Sequence, residues 1–256
     1  KQQRRYSFNR EILQSGDIRF AVSTLFNGKC AYCETILYGD NYDVDHFRPM
    51  HGAMNLDGKV HEEHYWWLSY VWENLYPCCK TCNRYKRTRF PVSGRRLKPG
   101  EAIENEKYLL LDPCNYNDFL EPQFKMDDEG FYKGQTRKGE ITIDILNLNR
   151  ESLVLGRKKV KEEVEHLVKE AKKLTSQGER YRFLQQSLMD KINLNAPFFT
   201  IALYYVNINS TDNKGIKSKE IFNQFIQEIS QGTPNYISEI ATSPEVQNKI
   251  SQKESI

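Results

Sequence analysis

Apolar residues recur at helical spacing throughout the second half of the chain. From about residue 140 onward, positions three and four apart carry Leu, Val and Ala, which is typical of helices with one buried face. These positions are Leu153, Val160, Val164, Leu167, Val168, Ala171 and Leu174. Further helices are predicted over 180–192, 197–207 and 218–230, the last with a marked apolar face. We therefore predict a mainly α-helical region over 141–256.

The first half of the chain carries shorter and more mixed patterns. A helix is predicted from Asp17, as its N-cap, to Phe26, because Asn27-Gly28 is a stop signal. A second short helix is predicted over 80–88, because Phe90-Pro91 follows it.

Strands and turns are predicted between these helices. Val44 alternates with Asp43 and Asp45, which indicates a strand in a hairpin within 29–47. A further strand is predicted over 108–111, and a turn over 128–130. Residues 50–61 are polar and predict an exposed loop.

Aromatic residues are concentrated in 64–75. They are Tyr65, Trp66, Trp67, Tyr70 and Trp72. A helix here would bury a broad aromatic stripe, and core packing is favoured over base stacking because large aromatics dominate core burial.

Four cysteines form two Cys-x-x-Cys pairs, and they are Cys30, Cys33, Cys79 and Cys82. This spacing is typical of a tetrahedral zinc site in a reducing, cytoplasmic setting. Cys78 is an alternative to Cys79, although only Cys79 gives the two-residue spacing. Cys114 is predicted to be a small buried residue.

Basic residues are unevenly distributed. The net charge of the 256-residue chain is +3, but 80–98 contains eight basic residues and no acidic one. A one-sided run of this kind attracts polyanions, or is simply a solvated surface. No apolar run approaches the roughly 20 residues of a membrane span, so no membrane partner is expected.

A second set of residues between and beside the cysteine pairs suits phosphodiester hydrolysis. His46 is suited to be the general base, since imidazole titrates near neutral pH. Asp45 and Asn83 offer hard oxygen ligands, which suit Mg²⁺ or Mn²⁺. Asn74 is placed to hold the loop of the histidine. The predicted phosphate contacts are Arg48, Arg84, Lys86, Arg87 and Arg89.

These residues resemble the HNH endonuclease family. The matching pieces are Asp43-Val44-Asp45-His46, Asn74-Leu75 and Cys79-Lys80-Thr81-Cys82-Asn83-Arg84-Tyr85-Lys86. The resemblance implies an α+β fold with a small ββα-metal core and a four-cysteine zinc site. It implies that His46 is the base, that Asp45 and Asn83 bind the catalytic metal, and that Asn74 is structural. The third signature residue is Asn83 rather than His, which favours Mg²⁺ or Mn²⁺ over Zn²⁺.

Other segments are similar to stand-alone HNH proteins of bacterial anti-phage systems, the Septu and retron-linked nucleases. They are Phe47-Arg48-Pro49, Tyr65-Trp66-Trp67, Arg89-Phe90-Pro91 and the run 142–150. This resemblance implies a nuclease effector that works beside an ATPase of the ABC or SMC type, through the helical half of the chain.

The resulting hypothesis is a metal-dependent nuclease in three parts. An HNH domain is predicted over 1–100, a connecting segment over 101–140, and a helical, partner-binding region over 141–256. The resemblance to the HNH family favours DNA as the substrate, with RNA or tRNA as the alternative. The rival hypothesis is a zinc-stabilised nucleic-acid-binding or assembly subunit with a dormant site.

Overall fold

Two compact units follow one another along the chain. The computed structural model describes residues 9–115, 118, 123–174 and 178–209. The first unit spans Lys1–Lys159 and the second spans Val160–Ile256. The first unit therefore extends past the predicted boundaries at residues 100 and 140, which stay predictions about sequence modules.

The described residues form an α+β fold, as predicted. The helices are α1 (Arg10–Leu13), α2 (Gly16–Leu25), α3 (Lys80–Lys86), α4 (Arg137–Leu146), α5 (Glu151–Lys172), α6 (Glu179–Lys191) and α7 (Phe199–Asn209). The strands are β1 (Tyr42–His46), β2 (Ala53–Met54), β3 (Val60–His61), β4 (Leu75–Cys79), β5 (Phe124–Met126) and β6 (Tyr132–Gly134). Three short 3₁₀ turns lie at Trp66–Leu68, Trp72–Asn74 and Ile103–Asn105.

The centre of the first unit is a ββα arrangement. Strand β1 pairs antiparallel with β4, so that Tyr42 lies opposite Cys79 and His46 opposite Leu75. Helix α3 follows β4 without a loop, and the Cys79 side chain at its N-cap accepts a hydrogen bond from the Cys82 amide. The predicted Asp-His step and the second cysteine pair therefore lie on adjacent elements.

Helix α2 packs against this core. Leu13, Ile18 and Val22 form a buried cluster with Leu75 of β4. Full burial of such side chains contributes about 1.5–3 kcal/mol each. The N-cap is Ser15 rather than the predicted Asp17, which lies in the first turn. A carboxylate there is favourable because the helix N-terminus carries partial positive charge.

The aromatic segment 64–75 does not form a helix that would bury a broad aromatic stripe. It contains two 3₁₀ turns, and the Ser69 carbonyl between them accepts a hydrogen bond from the His46 ring at 2.9 Å. A continuous α-helix would commit that carbonyl to an amide four residues later. Core packing holds for Tyr65, which is fully buried, whereas Trp66 keeps 42% of its surface exposed.

Two other local predictions were wrong. The predicted loop at 50–61 contains the β2–β3 hairpin, and Ala53 is fully buried in it. The predicted strand over 108–111 is limited to a single bridge between Val92 and Tyr108. The Leu111 amide instead donates to the Thr142 hydroxyl of α4, so this segment is tied to a helix rather than to a sheet.

The connecting segment forms a hairpin that leads into α4. Strands β5 and β6 are joined by the predicted turn, where Gly130 has φ +92° and the Asp127 carboxylate accepts the Phe131 amide. Thr136 then caps α4 by accepting the Gly139 amide. Gly139 has no room for a side chain, because a Cβ would lie 2.2 Å from the Gln123 carbonyl oxygen.

The second unit is helical in its described part. Helices α6 and α7 confirm the predictions for 180–192 and 197–207, and Leu188 and Ala202 are buried. The predicted helix at 218–230 lies outside the described residues. Within the described ranges, no helix is both long and apolar enough to cross a bilayer.

Candidate active site

The four predicted cysteines form one compact cluster. The sulfur atoms of Cys30, Cys33, Cys79 and Cys82 all lie within 4.8 Å of one another. The distance between Cys33 Sγ and Cys79 Sγ is 3.8 Å. A tetrahedral zinc ion with Zn–S bonds of about 2.3 Å places its sulfur ligands about 3.8 Å apart. The cluster therefore fits a structural zinc ion, and Cys78, whose sulfur points to the Cys79 carbonyl, lies outside it.

Backbone amides fix the cysteine loops. The Ala31 amide donates to the Pro77 carbonyl, which joins the first pair to β4. The Cys79 amide donates to Cys30 Sγ at 3.3 Å, and the Cys82 amide to Cys79 Sγ at 3.4 Å. Bonds of this kind stabilise thiolates, which are the form that binds zinc.

Three of the four cysteine thiols have raised pKa values, so metal binding should release protons from them. Burial raises the pKa of the Cys30 thiol, and the hydrogen bonds that the Cys33 and Cys82 thiols donate to neighbouring sulfurs raise the pKa of each. Hydrogen bonds donated by the other three thiols lower the pKa of Cys79. Zinc must displace the remaining protons, so its affinity should rise with pH.

A pocket of about 340 Å³ is lined by residues of β1 and α3. It brings together three of the predicted site residues, Asp45, His46 and Asn83, with Asp43. Leu13, Gln14, Arg19, Val44 and Met50 complete the wall. Helices α1 and α2 thus contribute to the pocket, which the sequence did not predict.

His46 is held as a neutral base. Its Nε2 lies 2.9 Å from the Ser69 carbonyl oxygen, which can only accept a hydrogen bond. Nε2 therefore carries the proton, and the lone pair is on Nδ1. Burial lowers the pKa of His46, against opposing contributions from Ser69 and Asp45. A neutral imidazole with a defined tautomer can take a proton from water.

Asp45 is engaged on one oxygen. Its Oδ2 accepts the Tyr32 hydroxyl at 2.6 Å and pairs with Lys86 Nζ at 2.9 Å. Lys86 is fully buried and also donates to the His46 carbonyl at 2.6 Å. Neither contact uses Oδ1 of Asp45, so a second oxygen remains for a metal.

Asn83 is oriented by a residue that the sequence did not single out as a ligand. Its Nδ2 donates to Asp43 Oδ2 at 2.9 Å, which leaves the amide oxygen Oδ1 as an acceptor. Asp43 and Asp45 are two apart in β1 and share one face of the strand. That alternation was the available signal for Asp43.

Asn74 holds the chain just after His46. Its Oδ1 accepts the Arg48 amide at 2.7 Å, and its Nδ2 donates to the carbonyls of Arg48 and Leu68. The side chain is 1% exposed. These contacts are those of a positioning residue, since Asn74 does not line the pocket.

The five predicted phosphate contacts divide into three groups by their exposure. Arg48 and Lys86 are buried and ion-paired, Arg48 with Glu106 at 2.8 Å, so their prediction as nucleic-acid contacts was wrong. Arg89 is half-buried and donates to main-chain carbonyls. Arg84 and Arg87 are exposed. Sequence alone does not distinguish a buried, paired cation from a surface one.

Cys114 was predicted to be buried and is exposed. It lies in a turn in which its amide donates to the Asp112 carboxylate. The turn holds its backbone at the surface, which overrides the general tendency of cysteine to be buried.

The chain is similar in sequence to proteins of bacterial Septu and retron systems. The chain is 35% identical over 164 residues to Septu protein PtuB of Bacillus mycoides, covering 60% of this chain and 54% of that protein. The chain is therefore similar to the Septu PtuB proteins over about 60% of its length. It is also 26% identical to the predicted HNH endonuclease of retron Vc95 in Vibrio cholerae, covering 60% of this chain and 68% of that one. These similarities confirm the resemblance inferred from the motifs.

A third relative has a different architecture. The chain is 38% identical over 146 residues to Septu protein PtuA of Bacillus mycoides, which is 56% of this chain but 20% of that protein. The chain thus spans about half of the PtuB relative and a fifth of the PtuA relative. No family model matches the chain. No solved structure matches it either.

Proposed function

We propose that this chain is a metal-dependent HNH endonuclease that hydrolyses phosphodiester bonds of nucleic acid. The observation that carries the proposal is the pocket in which His46, with its lone pair on Nδ1, lies with Asp45 and Asn83. A base and two hard oxygen ligands are the parts that metal-assisted hydrolysis requires. The similarity to the Septu PtuB and retron proteins supports this assignment.

Each residue has a defined role in the proposed reaction. His46 Nδ1 takes a proton from the attacking water. Asp45 Oδ1 and Asn83 Oδ1 would hold Mg²⁺ or Mn²⁺, which neutralises charge that develops on the phosphate when it is bound. Lys86 holds the Asp45 carboxylate and the His46 carbonyl in place, and Asn74 holds the backbone just after His46.

The zinc ion would act as a frame in this mechanism. The cluster joins the loop before β1 to the junction of β4 and α3. Helix α3 carries Asn83, which is about 40 residues from β1 along the chain. Zinc in this closed site has no position left for substrate. Its proposed contribution is therefore folding energy and the placement of Asn83 against β1.

We propose that the chain acts in anti-phage defence beside an ATPase of the ABC or SMC type. The match to a fifth of a protein named PtuA supports this, because a segment similar to this chain is there joined to a much longer sequence. Covalent joining of this kind is expected of parts that work together. DNA is the favoured substrate and RNA is the alternative.

One observation favours a dormant state as the second candidate. The Asp45 carboxylate already has a cationic partner in Lys86, at 2.9 Å. Because Lys86 neutralises the negative charge of Asp45, a metal cation would bind here only if Asp45 Oδ1 or the Asp43 carboxylate attracts it strongly enough. The metal titration below separates an active site from a dormant one.

The metal-ligand assignment predicts a change in metal requirement. Asp45→Asn and Asn83→Ala are each expected to raise the half-saturating Mg²⁺ or Mn²⁺ concentration for cleavage by about tenfold or more. The measurement is a cleavage rate against metal concentration. Asp144→Asn removes an exposed carboxylate on α4 and should leave the titration unchanged. Wild-type titrations for both site variants would refute the assignment.

The exposed arginines predict a second, independent effect. Arg84→Glu and Arg87→Glu should weaken nucleic-acid binding similarly for all sequences and reduce the slope of affinity against salt by about one phosphate contact each. Binding is measured by fluorescence anisotropy at several salt concentrations. Arg180→Glu, exposed on α6, is the matched control. A loss confined to particular sequences would show base readout instead.

A further inference from the structure

An arginine from outside the ββα core lies against the cysteine cluster. Arg150 occupies the turn between α4 and α5, about 70 residues after the second cysteine pair. Its Nη2 lies 3.4 Å from Cys82 Sγ and 3.8 Å from Cys79 Sγ. Both distances are within reach of N–H···S hydrogen bonds. The guanidinium therefore faces the two sulfurs that α3 contributes.

The other side of the guanidinium is fixed by the end of α4. Arg150 Nη1 donates to the carbonyls of Leu146 and Asn147, each at 3.3 Å. Asn147 ends the helix in the left-handed conformation, with φ +46°. The cation is thus held between a helix C-terminus, where positive charge is favourable, and the sulfur cluster.

The electrostatics of a bound metal would make this contact strong. Four thiolates around Zn²⁺ carry a net charge of −2, and the cluster is mostly buried. A guanidinium at 3.4 Å offsets part of that charge, and charge-assisted hydrogen bonds are about twice as strong as neutral ones. A hydrogen bond donated to a thiolate also lowers its basicity, so the thiolate is less readily protonated or bound by a competing metal ion.

We propose that Arg150 retains the zinc ion, by donating to the Cys79 and Cys82 thiolates and neutralising part of their charge. It also ties the α4–α5 turn to the metal centre, so loss of zinc is expected to loosen that turn. This inference rests on the proposed zinc site and is independent of nucleic-acid cleavage. Groups that support metal ligands from outside change metal affinity by about 10–100-fold.

The test is the rate at which the full-length chain transfers its zinc to excess chelator. Arg150→Gln is expected to release zinc about 10–100-fold faster than wild type. Arg150→Lys should be intermediate, because it keeps the charge but lacks the planar fork. Arg95→Gln is the matched control, since it removes a surface arginine paired with Glu101 and should release zinc as wild type does.

A spectroscopic measurement separates this role from capping of α4. With Co²⁺ in place of zinc, Arg150→Gln should shift the thiolate-to-cobalt charge-transfer band to lower energy, because the sulfurs become more electron-rich. A purely structural role for Arg150 would leave the band unmoved. Arg150→Lys provides the same comparison if the glutamine variant does not fold.

The outcomes are distinct. Wild-type zinc release and an unmoved band in the folded arginine variants would overturn the role of Arg150 alone. A wild-type chain that holds no zinc would overturn the zinc site with it. An absence of nuclease activity would bear on neither result.

Discussion

Replacing His46 with alanine is expected to lower the cleavage rate by about 10²–10⁴-fold, because the chain loses the base that activates water. Zinc content should not change, since His46 lies outside the cysteine cluster. Thermal stability should fall little, because the hydrogen bond between the ring and the Ser69 carbonyl contributes only about 0.5–1.5 kcal/mol. The measurement is single-turnover cleavage at saturating metal, with zinc content determined on the same samples.

His166→Ala provides the control for this prediction. His166 is an exposed histidine on α5, in the second unit. Its removal should leave cleavage unchanged. Retained activity in His46→Ala would show that another group takes the proton, and His51 would be the first residue to examine because it contributes electrostatically to the His46 environment.

Replacing Cys82 with serine is expected to remove zinc and most of the stability of the first unit. Structural zinc contributes about 10–16 kcal/mol in small zinc-binding peptides, whereas a whole domain is stable by only about 5–15 kcal/mol. Cys82 is fully buried at the start of α3, so its loss also disturbs the helix that carries Asn83. Zinc content is measured by mass spectrometry and unfolding by calorimetry.

Cys114→Ser is the matched control for the zinc prediction. Cys114 is exposed and lies outside the cluster, so this variant should keep its zinc and its melting temperature. A Cys82→Ser chain that melts like wild type, with full zinc content, would show that the cluster is not a structural metal site.

The spacing of a few residue types was enough to predict the centre of the first unit. Two Cys-x-x-Cys pairs close on one metal only if their segments meet, and this brings β1, β4 and α3 together. The helical character of the second unit also followed from apolar periodicity. These signals are local in sequence and have strong geometric consequences.

The partners of the site residues could not be predicted in this way. The Ser69 carbonyl, the Tyr32 hydroxyl and Arg150 reach the site through tertiary contacts that leave no spacing pattern. The backbone of the aromatic segment is unpredictable for a related reason, because its Ser69 carbonyl accepts a hydrogen bond from the distant His46 ring.

Charge counting gave the least reliable predictions. The basic run over 80–98 suggested a continuous phosphate-binding surface, but Lys86 and Arg96 within it are buried. Lys86 pairs with Asp45 and Arg96 donates to the Tyr65 hydroxyl at 2.8 Å. A basic residue at the surface and one inside an ion pair look alike in a sequence.

The most direct test of a zinc-framed nuclease is cleavage by the zinc-loaded wild-type chain. Plasmid DNA, single-stranded DNA and bulk tRNA are each incubated with Mg²⁺, with Mn²⁺ or with chelator, with and without a Septu PtuA protein. We predict metal-dependent cutting of at least one substrate, abolished by chelator and by His46→Ala. Intact substrates under every condition, by a chain that holds its zinc, would contradict the account and favour a dormant binding subunit.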